Sequence, residues 1–205
     1  MSYETVKRIM DIVFTLILMV IFSPILIIVP FLIKLDSPGP IVYRQKRVGK
    51  ADKEFYMYKF RSMVEGAEKI LKKNRSLLTR FKNGDWKLTK DPRVTKFGKI
   101  LRVLTIDEMP QFLNVLKGEM SLVGPRAYRE EELDEQQKKH PKTKKLIKQI
   151  LTVKPGITGP WQTSGRNVIP FKTRAEMDAE YARARSIWRD IVIVLKTPLA
   201  MISKW

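Results

Sequence analysis

Asp107 and Glu108 stand side by side in "TIDEMPQ", at the start of an apolar helical pattern, in a chain that is otherwise strongly basic. Two roles suit such a pair. One is local: Thr105 as N-cap with Glu108 three residues on makes a capping box, and Asp107 in the first turn complements the helix dipole. The other is catalytic. A carboxylate at a helix N-terminus stays ionised at neutral pH, and the free amides beside it can receive the negative charge of a phosphoryl group placed on it. Arg102, five residues upstream of Asp107, and Arg126 in "GPR" supply cations for phosphate oxygens. Asp107 and Glu108 also offer oxygen ligands to Mg2+, the usual metal of phosphate chemistry. The cluster reads as phosphoryl transfer, with helix capping as its rival.

Composition narrows the chemistry further. The 205 residues carry 40 Lys and Arg against 21 Asp and Glu, a formal charge of +19, so the partners are anionic: polynucleotide, phospholipid headgroup or phosphorylated substrate. With no Cys and a single His, a thiol nucleophile, a disulfide and a Cys/His zinc site are excluded. His140 sits in the basic run "KKHPKTKK", which reads as a solvated linker between helices. What remains is chemistry on carboxylates, Lys, Arg, hydroxyls, backbone amides and a hard metal held by oxygen.

The elements that must position these groups begin with an apolar segment. Ile12 to Ile33 has no charged residue over 22 positions, enough for the roughly 20 that a membrane-spanning helix requires. No small-residue cleavage site follows it, so it is not read as an ordinary signal peptide. Pro24 removes a backbone donor at its centre and crowds the carbonyl of Val20, and Pro30 does the same at Leu26, so a bend is expected, with Ser23 placed to satisfy the freed carbonyl. A kinked spanning helix and a helix-break-helix hairpin that enters and leaves by one face both fit. Lys7 and Arg8 before the segment and Lys34, Arg44, Lys46, Arg47 and Lys50 after it favour the hairpin, because a simple span would leave positive residues outside.

Beyond it, "IVYRQKRVG" and "EFYMYKF" flank the turn-like "GKADK" and predict a β-hairpin, with Tyr56 and Tyr58 on one face and Phe55, Met57 and Lys59 on the other. Residues 65–81 read as one basic amphipathic helix, 95–101 as a short helix, and 106–117 as the clearest helix in the chain, stopped by Gly118. "SLVGPR" is strand-like, 130–150 one or two helices, "VKPGITGPWQTSGRN" loop, and 175–185 helix. The tail "SIWRDIVIVLKTPLAMISKW" suits a pair of interfacial helices or a buried packing helix.

Five ordered blocks, "SPGPIVYRQKRVGK", "FYMYKFRSM", "DPRVTKFGKILR", "LTIDEMPQFLNVLKGEMSLVGPR" and "KPGITGPWQTSGRN", resemble the signature of the bacterial sugar transferases, the monotopic phosphoglycosyl transferases that act on polyprenyl phosphate. The resemblance runs from the apolar segment to about Tyr181. It implies that Asp107 attacks the phosphorus bearing the sugar in a UDP-sugar, expelling UMP, and that undecaprenyl phosphate then takes the sugar-phosphoryl group to give undecaprenyl-diphosphate-sugar. Glu108 is the second member of the dyad, assisting the acceptor phosphate or the metal, and Mg2+ is the cofactor, with Asp107 and Glu108 as its ligands. Matching positions put Arg102 and Arg126 near the phosphates, and Lys59, Arg61, Asp91, Arg93, Gln111, Asn114 and Arg166 around the site. The segment before Asp36 becomes a re-entrant helix broken at Ser23-Pro24, with the catalytic body on the cytoplasmic face of the bacterial inner membrane. Two details depart from the common pattern or refine it: "GPRA" replaces "GPRP" at Ala127, and "GPWQTSGRN" is similar to the galactose- and glucose-type enzymes rather than to the "QVNGR" type that takes N-acetylated sugars. The family's larger members carry further N-terminal membrane helices, which are not expected here.

The expected architecture is thus α/β and mainly helical: a lead-in and re-entrant membrane helix over 1–36, a small catalytic domain over 37–185, and membrane-interface helices over 186–205. The expected partners are a UDP-sugar, undecaprenyl phosphate and membrane phospholipids, with no nucleic acid, and a homodimer is compatible with the reading. The product would open a membrane-bound glycan such as exopolysaccharide or O-antigen. The rival is a non-enzymatic, membrane-anchored basic module that binds anionic lipid or nucleic acid, which leaves an acidic pair between arginines without a purpose.

Overall fold

A computed structural model describes residues 1–84, 86, 88–165 and 169–202, and the described chain is mostly helical with two small sheets. Helix α1 (Tyr3–Ile21) starts at Ser2, whose hydroxyl accepts the Thr5 N–H, and stops one residue before α2 (Ser23–Asp36). The two are bent by 64° at Phe22. The cause is the one expected. Pro24 cannot donate to the carbonyl of Val20, and the Ser23 hydroxyl donates to that oxygen instead, at 2.8 Å. Helix α2 continues through Pro30 without a second break. No single helix among the described residues is long and apolar enough to cross a membrane; the bent pair together has the length and composition.

The hairpin forms as expected from strands β1 (Val42–Val48) and β2 (Glu54–Phe60), antiparallel with Arg47 opposite Phe55. Alternation turns Phe55 and Met57 inward, together with Gln45 and Arg47 from the facing strand. The basic amphipathic region is not one helix but two, α3 (Ala67–Lys73) and α4 (Arg75–Asn83). Asn74 leaves the helical region at ψ 95° and its side chain caps α4 by accepting the Leu77 N–H at 3.0 Å, a local bond that competes with continuing the helix. Helix α5 (Lys96–Val103) is capped by Thr95, which accepts the Gly98 N–H at 2.9 Å. A Cβ on Gly98 would lie 2.1 Å from the Ser62 carbonyl oxygen, so only glycine lets α5 press this closely on the strand end that carries the site.

Residues 106–117 also divide. A 3-10 turn, Ile106–Gln111, precedes α6 (Phe112–Lys117), because Pro110 lacks the N–H that an α-helix would direct to Ile106. Gly118 ends α6 in the left-handed conformation, as expected. The stretch read as loop at "KPGIT" contributes a strand: β4 (Gly156–Thr158) runs parallel to β3 (Ser121–Val123). Three residues of it are too few to show a pattern. Helices α7 (Glu130–Lys139), α8 (Lys144–Ile150) and α9 (Phe171–Arg183) pack together around Val48 and Tyr128, and His140 is exposed between α7 and α8. The tail is a single helix, α10 (Ile187–Ile202), which passes Pro198.

The central core joins Phe55 and Met57 of the hairpin to Phe112, Val115, Met120, Leu122 and Val123, with Tyr181 of α9 and Ile193 of α10 behind them. A second cluster packs Val29 and Ile33 of α2 against Phe60 and Leu101. Polar struts hold α1 to this body. Asp11 accepts from the Ser121 hydroxyl and the Leu122 N–H, both at 3.0 Å, and Asp190 accepts from Lys7, Tyr3 and Tyr181. The outward face of α1 and α2 is largely apolar and uncovered, with Val20 74% and Ile27 73% exposed.

Candidate active site

The 3-10 turn lies against β2, and this contact brings Asp107, Glu108 and Lys59 together. Lys59 Nζ donates to Glu108 Oε1 at 2.5 Å, while Asp107 is buried beside them. The capping box does not form. Thr105 takes φ 58°, whereas an N-cap residue needs an extended backbone; its hydroxyl accepts no N–H from the turn, and the Glu108 side chain is engaged by Lys59. The dipole of a full α-helix start is missing too. Neither acid is explained by local helix chemistry.

The two carboxylates are electrostatically different. Burial pushes Asp107 above the ordinary carboxylate range, with Lys59 and Arg102 pulling it back and Glu108 adding to the push. Burial acts on Glu108 in the same sense, but the charge and hydrogen bond of Lys59, reinforced by Arg126 and Arg47, outweigh it and hold Glu108 well below that range. Glu108 is therefore the permanently charged partner of Lys59. Asp107 accepts no side-chain hydrogen bond among the described residues and is the acid with electrons to offer.

Arg102 at the end of α5 donates to the Ser62 hydroxyl at 3.1 Å, and its charge is felt by Asp107. Arg126, in the turn after β3, lies over the Trp161 ring at 5.9 Å, and its backbone N–H donates to Asp178 at 3.3 Å. Its Nε is buried without a hydrogen-bond partner among the described residues. Asn114 is fully buried and ties α6 to β2: it donates to the Tyr56 carbonyl at 2.7 Å and accepts the Tyr58 N–H at 3.0 Å, which sets the height of Lys59 against Glu108. Gln111 is buried at the end of the 3-10 turn.

Three other expected residues make firm contacts of their own, and the charge of Arg102 also acts on Asp91. Arg61 is spent on the carbonyls of Ile33, Ser37 and Pro40, tying the end of α2 to the hairpin. Asp91 and Arg93 pair with each other at 2.6 and 2.8 Å, with Arg93 against the Phe81 ring. Arg166 lies outside the described residues. One residue near the site was not singled out from the sequence. Arg47, 4% exposed, donates to the Ala127 carbonyl at 2.9 Å and adds to the field that keeps Glu108 ionised. The signal was there in the alternation of β1, which turns an arginine inward opposite Phe55.

Among the described residues no three carboxylates or histidines gather into a metal cluster. Mg2+ does not need one, since it is commonly held by one or two carboxylates with substrate phosphates and water completing the octahedron. The donors fit: Asp107 would offer a buried carboxylate with no side-chain hydrogen bond among the described residues, and Glu108 keeps a second carboxylate oxygen beyond the one that Lys59 holds.

Comparison with known proteins identifies the family. The family model described as "Bacterial sugar transferase" matches residues 2–204. The undecaprenyl-phosphate galactose phosphotransferase of Salmonella typhimurium is 38% identical over 206 residues, covering 99% of this chain and 42% of that protein. The exopolysaccharide production protein ExoY of Rhizobium meliloti is 36% identical over 203 residues, covering 97% and 86%. A UDP-N-acetylgalactosamine-undecaprenyl-phosphate N-acetylgalactosaminephosphotransferase of Aeromonas hydrophila is 38% identical over 198 residues, covering 95% and 43%. The chain thus spans less than half the length of the Salmonella and Aeromonas relatives. A match over nearly every residue, with the acidic pair and its cations gathered at one place, leaves a single conclusion: this chain belongs to the bacterial sugar transferase family.

Proposed function

We propose that the protein transfers a hexose-1-phosphate from a UDP-sugar to undecaprenyl phosphate, with Asp107 as the nucleophile. The observation that carries this reading is the division of labour in the acidic pair, one carboxylate bonded by Lys59 and the other buried, without a side-chain hydrogen bond among the described residues and within the field of Arg102. An Asp107 oxygen attacks the phosphorus that bears the sugar; the bond from that phosphorus to the bridging oxygen breaks, and UMP leaves with the electron pair. A phosphate oxygen of undecaprenyl phosphate then attacks the same phosphorus and returns Asp107 as a free carboxylate. Arg102 and Arg126 neutralise the phosphate oxygens, and Lys59 and Arg47 keep Glu108 ionised beside them. Asp107 and Glu108 would hold Mg2+, which when bound supplies charge neutralisation on the diphosphate.

The bent α1–α2 pair is a re-entrant hairpin in this reading. Its start is fixed to the body through Lys7 and Asp190, its end through Arg61 and the carbonyls of Ile33 and Ser37, so both ends belong to one face of the bilayer. That face is cytoplasmic, where UDP-sugars are made, and the acceptor phosphate reaches the same site from the membrane. The sugar is of the galactose or glucose type on the strength of "GPWQTSGRN". The decisive experiment is UMP release across a panel of UDP-sugars with undecaprenyl phosphate and Mg2+. Wild type should release UMP with one sugar class and carry a sugar-phosphate mass adduct when the acceptor is withheld; Asp107→Asn should do neither while remaining membrane-bound. Release by the Asn variant at the wild-type rate would remove Asp107 from the chemistry.

A further inference from the structure

A crevice between the first turns of α1 and the β3–β4 edge shares no lining residue with the Asp107 site. Its walls carry four cations, Lys7, Arg8, Lys154 and Arg185, against two acids, Glu4 and Asp11. Most of these charges are matched. Lys7 pairs with Asp190 at 2.9 Å and Arg185 with Glu4 at 3.0 Å, and Asp11 accepts from Ser121 and Leu122. Two are not. Arg8 donates to the carbonyls of Val115 and Leu116 at 2.6 and 2.8 Å, which leaves further guanidinium N–H groups to donate and no carboxylate paired with its charge among the described residues. Lys154, half-buried, has no hydrogen bond or ion pair among the described residues.

Both charges border one residue beside the crevice they line. A Cβ placed on Gly118 would lie 3.5 Å from Lys154 Nζ and 3.7 Å from Arg8 Nη2. Burial, then Arg8, pull Lys154 below the ordinary lysine range; Asp11 acts the other way, and the smaller pull of Lys50 is opposed by Glu4. A tetrahedral oxyanion bridging an ammonium and a guanidinium relieves this, since both groups bind phosphate through charge-assisted hydrogen bonds. The next exposed positions on α1 are the apolar Ile9 and Val13, so the crevice opens where a bilayer surface would begin.

We infer that this crevice is a phosphate-binding site, in which Lys154 and Arg8 clamp one phosphate group, either of a phospholipid headgroup or of free phosphate. The test reads the reactivity of the Lys154 amine in the full-length protein by mass spectrometry after brief treatment with acetic anhydride, relative to the exposed Lys172. A bound phosphate covers the amine and keeps it protonated, so labelling slows. Four conditions are compared: detergent without and with inorganic phosphate, and nanodiscs of phosphatidylglycerol or of the phosphate-free digalactosyldiacylglycerol. At least fivefold slowing by inorganic phosphate in detergent assigns the site to free phosphate. The same slowing in phosphatidylglycerol alone assigns it to a headgroup. Equal labelling in all four conditions overturns the site.

Discussion

Asp107 and Glu108 are one bond-length apart in sequence and opposite in electrostatic character, and the difference is made by one lysine. Lys59 pulls both carboxyls toward the ionised form. In Lys59→Gln the Asp107 pKa, already raised by burial, rises further. A nucleophilic carboxylate must be deprotonated, so the acid limb of the kcat/KM profile should move to higher pH, with a loss on the order of tenfold to a hundredfold at neutral pH from the missing 1.5–3 kcal/mol charge-assisted bond. An unmoved acid limb would contradict the role given to Lys59. Asp178 makes a second residue-scale case. It is fully buried, accepts from the Arg126 N–H and the Tyr128 hydroxyl, and burial pushes it up to about 7, with those bonds and the Trp161 side chain acting the other way. Because the folded-state value lies above that of an unfolded aspartate, near 3.9, the proton favours the fold, and stability falls as pH rises from about 4 to about 7. Asp178→Asn should erase this slope. Between pH 5 and 7 the wild type should lose about 2 kcal/mol relative to the variant, read as diverging Tm values in detergent.

Elements divide where a single side chain offers the backbone something better than continuation. Asn74 caps α4, Pro110 forces a 3-10 turn, and Ser23 with Pro24 bends α1 from α2. Asn74→Ala should therefore cost about 1 kcal/mol, measured by denaturant unfolding, with the loss confined to the Leu71, Leu77 and Phe81 cluster in hydrogen exchange. A stabilised Asn74→Ala protein with one continuous helix over 67–83 would show that the cap is incidental. Helix α10 reconciles two readings of the tail. It buries Asp190, Ile193 and Ala200 against the body and leaves Trp188, Leu195 and Leu199 uncovered, so one helix packs and presents an apolar face at once.

At the scale of the molecule, the uncovered apolar residues gather on α1, α2, α5 and α10, and the catalytic body hangs from both ends of the bent pair. Both ends should thus lie on one side of a bilayer. The chain has no native cysteine, so Ser2→Cys and Asp36→Cys report on the two ends cleanly. In sealed inside-out vesicles both should react with an impermeant maleimide. Reaction of only one would mean a spanning helix and would place the lead-in opposite the body.

The sequence by itself determined the hairpin, the bend at Ser23-Pro24, the stop at Gly118 and the acidic pair with Arg102 and Arg126, because each depends on neighbours within a few residues or on period-2 alternation. It also carried the family resemblance, block by block. Only the tertiary structure decided which expected site residues meet. Lys59 reaches Glu108 across 49 positions because Asn114 sets α6 against β2, while Arg61 is consumed by the end of α2 and Arg47 turns up behind Glu108. The capping box failed for the same reason: Thr105 takes its left-handed backbone within a turn packed against β2, and Glu108 finds a distant lysine rather than a local amide. Local propensity fixes where a chain can turn, and burial fixes which charges must find each other once it has.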